Sequence, residues 1–276
     1  MRLAYLGTPQ MAVPPLRALV AAGHHVELVV TGADKRRGRG GGRSPSPVKA
    51  AAVELGLAVT HDIDDVVDRA AAGALDLGVV VAYGKLIRPH VLDALRFVNV
   101  HFSLLPRWRG AAPVERALLA GDTVTGVCVM EVEEGLDTGG VYARREVPIA
   151  DRETAADLRQ RLVEVGTELL VETLRRPLEE WIDDPEPQIG EAVYADKLST
   201  DDLHIDWTAP AEQIDRVVRV GGAWTSFRGR RLKIHAAELR DGRVEPLVVQ
   251  PEGKASMSFA DWRNGARPGP DEPFGT

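Results

Sequence analysis

Asp76-Leu77-Gly78-Val79-Val80-Val81-Ala82 is the stretch that decides the fold. The run is apolar without alternation, so both of its faces must be covered. That is the pattern of a central strand in a sheet packed between helices. On one side of it Asp62–Ala72 reads as a helix. On the other, Arg88–Leu95 reads as a short helix and Phe97–His101 as the next strand. Farther out, the expected strands Arg2–Leu6, Val26–Thr31 and Leu57–Thr60 alternate with helices Val13–Ala22 and Pro47–Leu55, each helix followed by a glycine. Pro113–Ala120 is a further helix, with proline in its first turn.

This alternation predicts an α/β fold, a mostly parallel Rossmann-like sheet. Ligands of such sheets bind outside the carboxyl ends of the strands. Ala82-Tyr83-Gly84 and Asn99–His101 both fall there. Beyond them, Thr125–Val132 and Gly140–Ile149 read as two strands joined by the loop EEGLDTGG, and Thr154–Leu174 as a long helix. The expected division is a catalytic domain over 1–177, a linker over 178–207 and a small β domain over 208–276. In the last, helix Ala211–Val220 precedes strands Ala223–Phe227, Arg231–Leu239 and Pro246–Val249. The Gly/Pro-rich tail Asn264–Thr276 reads as loose.

The net charge is −7 over 276 residues, which excludes a wholly basic nucleic-acid sleeve but leaves room for a local patch. One such patch exists: Lys35, Arg36, Arg37, Arg39 and Arg43 crowd a glycine-rich loop. Glycine lets a backbone approach a ligand closely, and five cations suit a phosphate backbone. A solvated surface loop is the competing reading. Cys128 is the only cysteine, in an apolar run, and reads as a small buried hydrophobe. Neither a signal peptide nor a membrane-spanning run is apparent, so a cytoplasmic protein is expected. Gly7-Thr8-Pro9 lacks the glycine spacing of a dinucleotide fingerprint. No P-loop, GxSxG or HExxH motif occurs, and no metal is expected.

The richest segment runs from Asn99 to Gly139. Asn99 and His101 are two apart on a strand, so they share a face. Asp137 sits in a glycine-flanked loop. An amide donor, an imidazole and a carboxylate together suit acyl transfer. The amide meets a developing oxyanion, the imidazole donates or moves a proton, and the carboxylate tunes the imidazole. Spacing alone leaves open whether His101 is catalytic or a satisfied core histidine.

The stretch from Asn99 to Gly139 resembles the methionyl-tRNA formyltransferase family. The resemblance lies in Asn99-x-His101, Ser103-Leu104-Leu105-Pro106, Arg107-Trp108-Arg109-Gly110 and Glu134-Gly135-Leu136-Asp137-Thr138-Gly139. It extends to Gly7-Thr8-Pro9, Ser44-Pro45-Ser46-Pro47-Val48-Lys49, Val81-Ala82-Tyr83-Gly84, Tyr194-Ala195-Asp196-Lys197-Leu198 and Ile205-Asp206-Trp207. It implies Asn99, His101 and Asp137 as the catalytic set. It implies a folate pocket lined by Ser103, Leu104, Leu105, Pro106, Tyr83 and Gly84, and 10-formyltetrahydrofolate as formyl donor. It implies initiator methionyl-tRNA as partner, met by the basic loop, with no obligate protein partner. The OB-like β domain implied by the family is shortened here. Val220 runs directly into Gly221-Gly222-Ala223-Trp224-Thr225, and few residues separate Asp241 from Val249. Two alternatives stay open: a related formyltransferase acting on a small amine, such as an amino sugar or amino acid, and a non-catalytic paralogue that binds folate or RNA.

Overall fold

A computed structural model describes residues 1–36, 43–269 and 272–275. They form two compact units. The first comprises Met1–Pro113, Val124–Pro148 and Arg159–Ala195, the second Val114–Thr123, Ile149–Leu158 and Asp196–Thr276. The strands in chain order are β1 (Arg2–Gly7), β2 (His25–Val30), β3 (Lys35–Arg36), β4 (Arg43–Ser44), β5 (Val59–Thr60), β6 (Leu77–Val81), β7 (Phe97–His101), β8 (Arg109–Gly110), β9 (Val124–Glu131), β10 (Val141–Pro148), β11 (Tyr194–Ala195), β12 (Trp224–Phe227), β13 (Arg230–Arg240), β14 (Arg243–Pro251) and β15 (Met257–Ser258). The helices are α1 (Val13–Ala21), α2 (Pro47–Glu54), α3 (Asp64–Ala71), α4 (Pro89–Ala94), α5 (Pro113–Ala120), α6 (Ala155–Leu174), α7 (Ala211–Val220) and α8 (Phe259–Ala266).

The first unit is built on a seven-stranded sheet of order β10-β9-β7-β6-β1-β2-β5. Its five strands from β7 to β5 run parallel; β9 pairs antiparallel with β7, and β10 antiparallel with β9. The decisive run is β6, and all five of its residues are buried. Gly78 is needed there because a Cβ would collide with the Phe97 ring of the neighbouring strand. Above one face, Ala4, Leu6, Leu28, Val30, Val80 and Phe97 pack with Val66 of α3 and Val91 of α4. At Gly166, α6 comes within van der Waals reach of Val100 and Val127, on β7 and β9. Ser46 caps α2 by accepting from the Lys49 amide at 3.0 Å, and its hydroxyl meets Thr31 at 2.7 Å.

Residues 178–207, expected to be a linker, divide between the two units. Their first part is stitched to the sheet's periphery. Glu186 exchanges two backbone hydrogen bonds with Val141, at 2.8 and 2.9 Å, and β11 pairs in parallel with β8. Proline and aspartate content made this stretch read as connecting chain, yet its backbone groups find partners at long range.

The second unit contains a four-stranded antiparallel sheet, β12-β13-β14-β15, with α7 and α8. Four strands are fewer than a five-stranded barrel needs, in keeping with the shortened sequence. Strand β15 covers β14 only at Val248 and Val249. Ile214, Val218, Phe227, Leu232, Ile234, Val249 and Trp262 make the core.

The expectation of a loose tail is overturned for residues 264–269 and 272–275; Pro270, Asp271 and Thr276 lie outside the described residues. Asn264 lies inside α8, which Ser258 caps through the Asp261 amide. Phe274 stacks on Trp207 at 4.9 Å and sits 5.9 Å from the Trp262 ring. Aromatic burial outweighs the flexibility of the surrounding glycines and prolines. Phe274→Ala is expected to destabilise this unit by about 2 kcal/mol. Tryptophan fluorescence in a urea titration would read this as an earlier midpoint, and an unchanged midpoint would show that the tail does not contribute.

Candidate active site

Strand β7 carries Asn99 and His101 on one face, at its carboxyl end. Asn99 is paired on both sides, in register with Val80 of β6 and Met130 of β9, while His101 is paired on one side, with Cys128 of β9. Asn99 is half-buried and makes no side-chain hydrogen bond among the described residues. His101 is buried, and its Nε2 lies 2.8 Å from the Trp108 carbonyl oxygen. A carbonyl can only accept, so Nε2 carries the hydrogen and donates it. That leaves Nδ1 as the nitrogen available for chemistry. It lies 3.6 Å from Asp137 Oδ2.

Asp137 comes from the loop between β9 and β10. Its backbone is left-handed, with φ +51°. Gly139, two residues on, is required because a Cβ there would strike the Glu131 carbonyl. The Asp137 carboxylate also accepts the Gly110 amide at 2.7 Å. Gly110 is itself left-handed (φ +120°) and packs on the Ala195 backbone, whose carbonyl accepts from Ala111 and Ala112 at 2.9 and 3.0 Å. The structure therefore brings His101 and Asp137 together, with Asn99 on the same strand face as His101. Burial pushes the Cys128 thiol above its ordinary range, in keeping with a packed, unreactive side chain.

The residues expected to line a folate pocket are placed less simply. Ser103 is buried and its hydroxyl donates to the Arg107 carbonyl at 2.6 Å, closing a turn. Leu105 is packed with Cys128, Met130 and Val141, and Leu104 lies against Gly126. The Tyr83 ring is in the core beside β6, with the Lys85 ammonium 5.6 Å from its centroid. Gly84 is left-handed at φ +72°. These residues shape the turns after β6 and β7; Gly84 is exposed, Leu104 and Pro106 are half-buried, and Tyr83, Ser103 and Leu105 are buried.

Of the basic-loop residues, Lys35 and Arg36 pair with Ser44 and Arg43 as a short antiparallel hairpin. Arg37 and Arg39 lie outside the described residues. At the hairpin's base Asp34 meets Lys49 at 2.8 Å, and that ammonium holds the Asp34 carboxyl below its usual range. Sequence reasoning missed Gln188. Its Nε2 donates to the carbonyls of Asp137 and Gly139 at 2.9 and 2.7 Å, and its Oε1 accepts from Arg109 Nε and Nη2 at 3.0 and 2.6 Å. No motif or periodicity marks it.

Residues 1–174 match the formyl transferase family, and residues 197–245 the formyl transferase C-terminal domain. Among curated relatives, the methionyl-tRNA formyltransferase of Thermobifida fusca (strain YX) is 44% identical, over all of this chain and 99% of its own length. That of Ruegeria pomeroyi is 46% identical over 90% of this chain and 85% of its own. Among solved structures, methionyl-tRNA formyltransferase from Clostridium thermocellum has a TM-score of 0.62 at 14% identity, covering 91% of this chain and 98% of that one. HypX from Aquifex aeolicus, solved with tetrahydrofolic acid, has a TM-score of 0.68 at 17% identity. All of this chain is covered there, and it spans half of HypX. At such identities these two structures speak for the fold alone. With its family match and its curated relatives, the chain belongs to the formyl transferases, within the methionyl-tRNA formyltransferase family.

Proposed function

We propose that this chain transfers a formyl group from 10-formyltetrahydrofolate to the α-amine of methionine on initiator methionyl-tRNA, with Asn99, His101 and Asp137 as its catalytic residues. The observation that carries the catalytic part is the orientation of His101. Its Nε2 is committed to Trp108, so its Nδ1 faces Asp137. The acceptor is inferred from the methionyl-tRNA formyltransferases to which the chain is similar, and the folate donor from its membership of the formyl transferase family.

The chemistry follows from that placement. As the amine attacks the formyl carbon, negative charge grows on the formyl oxygen. The Asn99 amide, with no competing partner among the described residues, donates to it. Nδ1 of His101 takes up the amine's proton, and the resulting cation lies against the Asp137 carboxylate. The same proton then serves the leaving nitrogen of the donor. No step requires a group other than these side chains and the two substrates.

Contacts with the folate would come from the exposed Gly84 and the half-buried Leu104 and Pro106, since Tyr83, Ser103 and Leu105 are buried. Lys35, Arg36, Arg37, Arg39 and Arg43 would meet RNA phosphates. The small four-stranded sheet of the second unit favours a second reading, a small-amine acceptor, because it offers less surface to RNA. Formylation assays with purified protein separate the two. Methionyl initiator tRNA should be formylated far faster than free methionine or an amino sugar, and equal rates would overturn the tRNA reading. RNA affinity should also fall steeply with salt. Arg43→Ala should make that slope shallower by about one unit per phosphate contact removed. An unchanged slope would take Arg43 out of the interface.

A further inference from the structure

Gln188 uses its whole hydrogen-bonding capacity on the catalytic segment. A primary amide has two donor hydrogens and two acceptor lone pairs. Here Nε2 reaches the carbonyls of Asp137 and Gly139, and Oε1 takes two hydrogens from Arg109. The two carbonyls flank the turn that aims the Asp137 side chain. Arg109 directly precedes Gly110, whose amide is the other partner of that carboxylate. One side chain therefore ties together the two segments that meet at Asp137.

Its own position is fixed from both sides. Upstream, Glu186 is bridged to Val141 at the start of β10. Downstream, Val193 accepts from the Arg109 amide at 2.8 Å, and β11 pairs with β8. Asp137 needs such support. A left-handed non-glycine backbone persists only where its surroundings over-determine it.

We propose that Gln188 is a positioning residue for formyl transfer, acting through Asp137. Its Nε2 clamps the loop so that the carboxylate stays against His101 and Gly110. This rests on the catalytic reading of Asp137 given above. The clamp makes no contact with either substrate in this scheme, so it affects turnover more than binding. A brace that served stability alone would lower the melting temperature and leave turnover of the folded enzyme unchanged.

The test uses the full-length enzyme and steady-state formylation of methionyl initiator tRNA, with Gln188→Ala, Gln188→Glu, Asp137→Ala and the Gln188→Ala/Asp137→Ala double variant. Gln188→Glu keeps the shape and the acceptor for Arg109, but it presents an anionic oxygen to the two carbonyls. Both Gln188 variants should lower kcat by about 10- to 100-fold, with KM for either substrate changing less than about threefold. In the Asp137→Ala background, adding Gln188→Ala should cost less than about twofold more. If the alanine variant does not fold, Gln188→Glu carries the measurement alone. Normal kcat in Gln188→Glu overturns the clamp. So does a double variant whose loss is the product of the single losses, since Gln188 would then act independently of Asp137. Near-normal turnover in Asp137→Ala is a different failure, overturning the catalytic reading itself.

Discussion

Alanine at His101 is expected to lower formyl-transfer turnover by about 10³-fold, the scale of a lost proton-transfer group that also steadies charge. The ring has two nitrogens and two distinct jobs. Nε2 is anchored to the Trp108 carbonyl, and Nδ1 faces Asp137. Alanine removes both. It also leaves the Trp108 carbonyl without that donor, at a cost of about 1–3 kcal/mol if the carbonyl stays dry. Turnover must therefore be measured well below the variant's melting temperature, with its folded fraction checked by circular dichroism. His101→Gln tests the division of labour, because its amide can satisfy Trp108 without accepting a proton at the strength of an imidazole. It should recover stability and little turnover. A fall smaller than about tenfold in His101→Ala would mean that the imidazole is a core histidine after all.

The second large effect is expected at Asn99. Removing one oxyanion donor typically costs about 10²- to 10³-fold in kcat, and Asn99→Ala should fall in that range. The strand should hardly notice. Asn99 is paired on both sides through its backbone, and its side chain makes no hydrogen bond among the described residues. Melting temperature and substrate KM should stay near those of the parent. Asn99→Asp is the sharper version, since it matches the amide in shape but places a carboxylate where negative charge develops. It should be at least as impaired as the alanine variant. If Asn99→Asp turns over as fast as the parent enzyme, the oxyanion must sit elsewhere.

Much of this site could be read from the chain. Period-two alternation put Asn99 and His101 on one face, and β7 has the bounds the apolar pattern predicts, Phe97–His101. Helix α5 likewise runs over the expected Pro113–Ala120. What could not be read is whatever depends on distant segments. The contact of Gln188 with the Asp137 carbonyl joins residues 51 apart in sequence, and no local preference encodes it. Strand β14 begins at Arg243 and not at Pro246, because pairing with β13 overrides the proline. Helix α8 did carry a local signal, Ser258 followed three residues later by Asp261, which the glycine-rich composition after it obscured.

The partial cover that β15 gives β14 has a consequence for behaviour in concentrated solution. From Arg243 to Leu247 the outer side of β14 has no strand partner among the described residues. Such an edge is a template on which a second chain can add a strand. The residues along it discourage that addition. Pro246 has no amide hydrogen to offer, while Arg243 and Glu245 bring charge that is costly to bury between two sheets. The short cover of β15 thus leaves a self-association hazard, and the amino acids along that border blunt it without adding a strand.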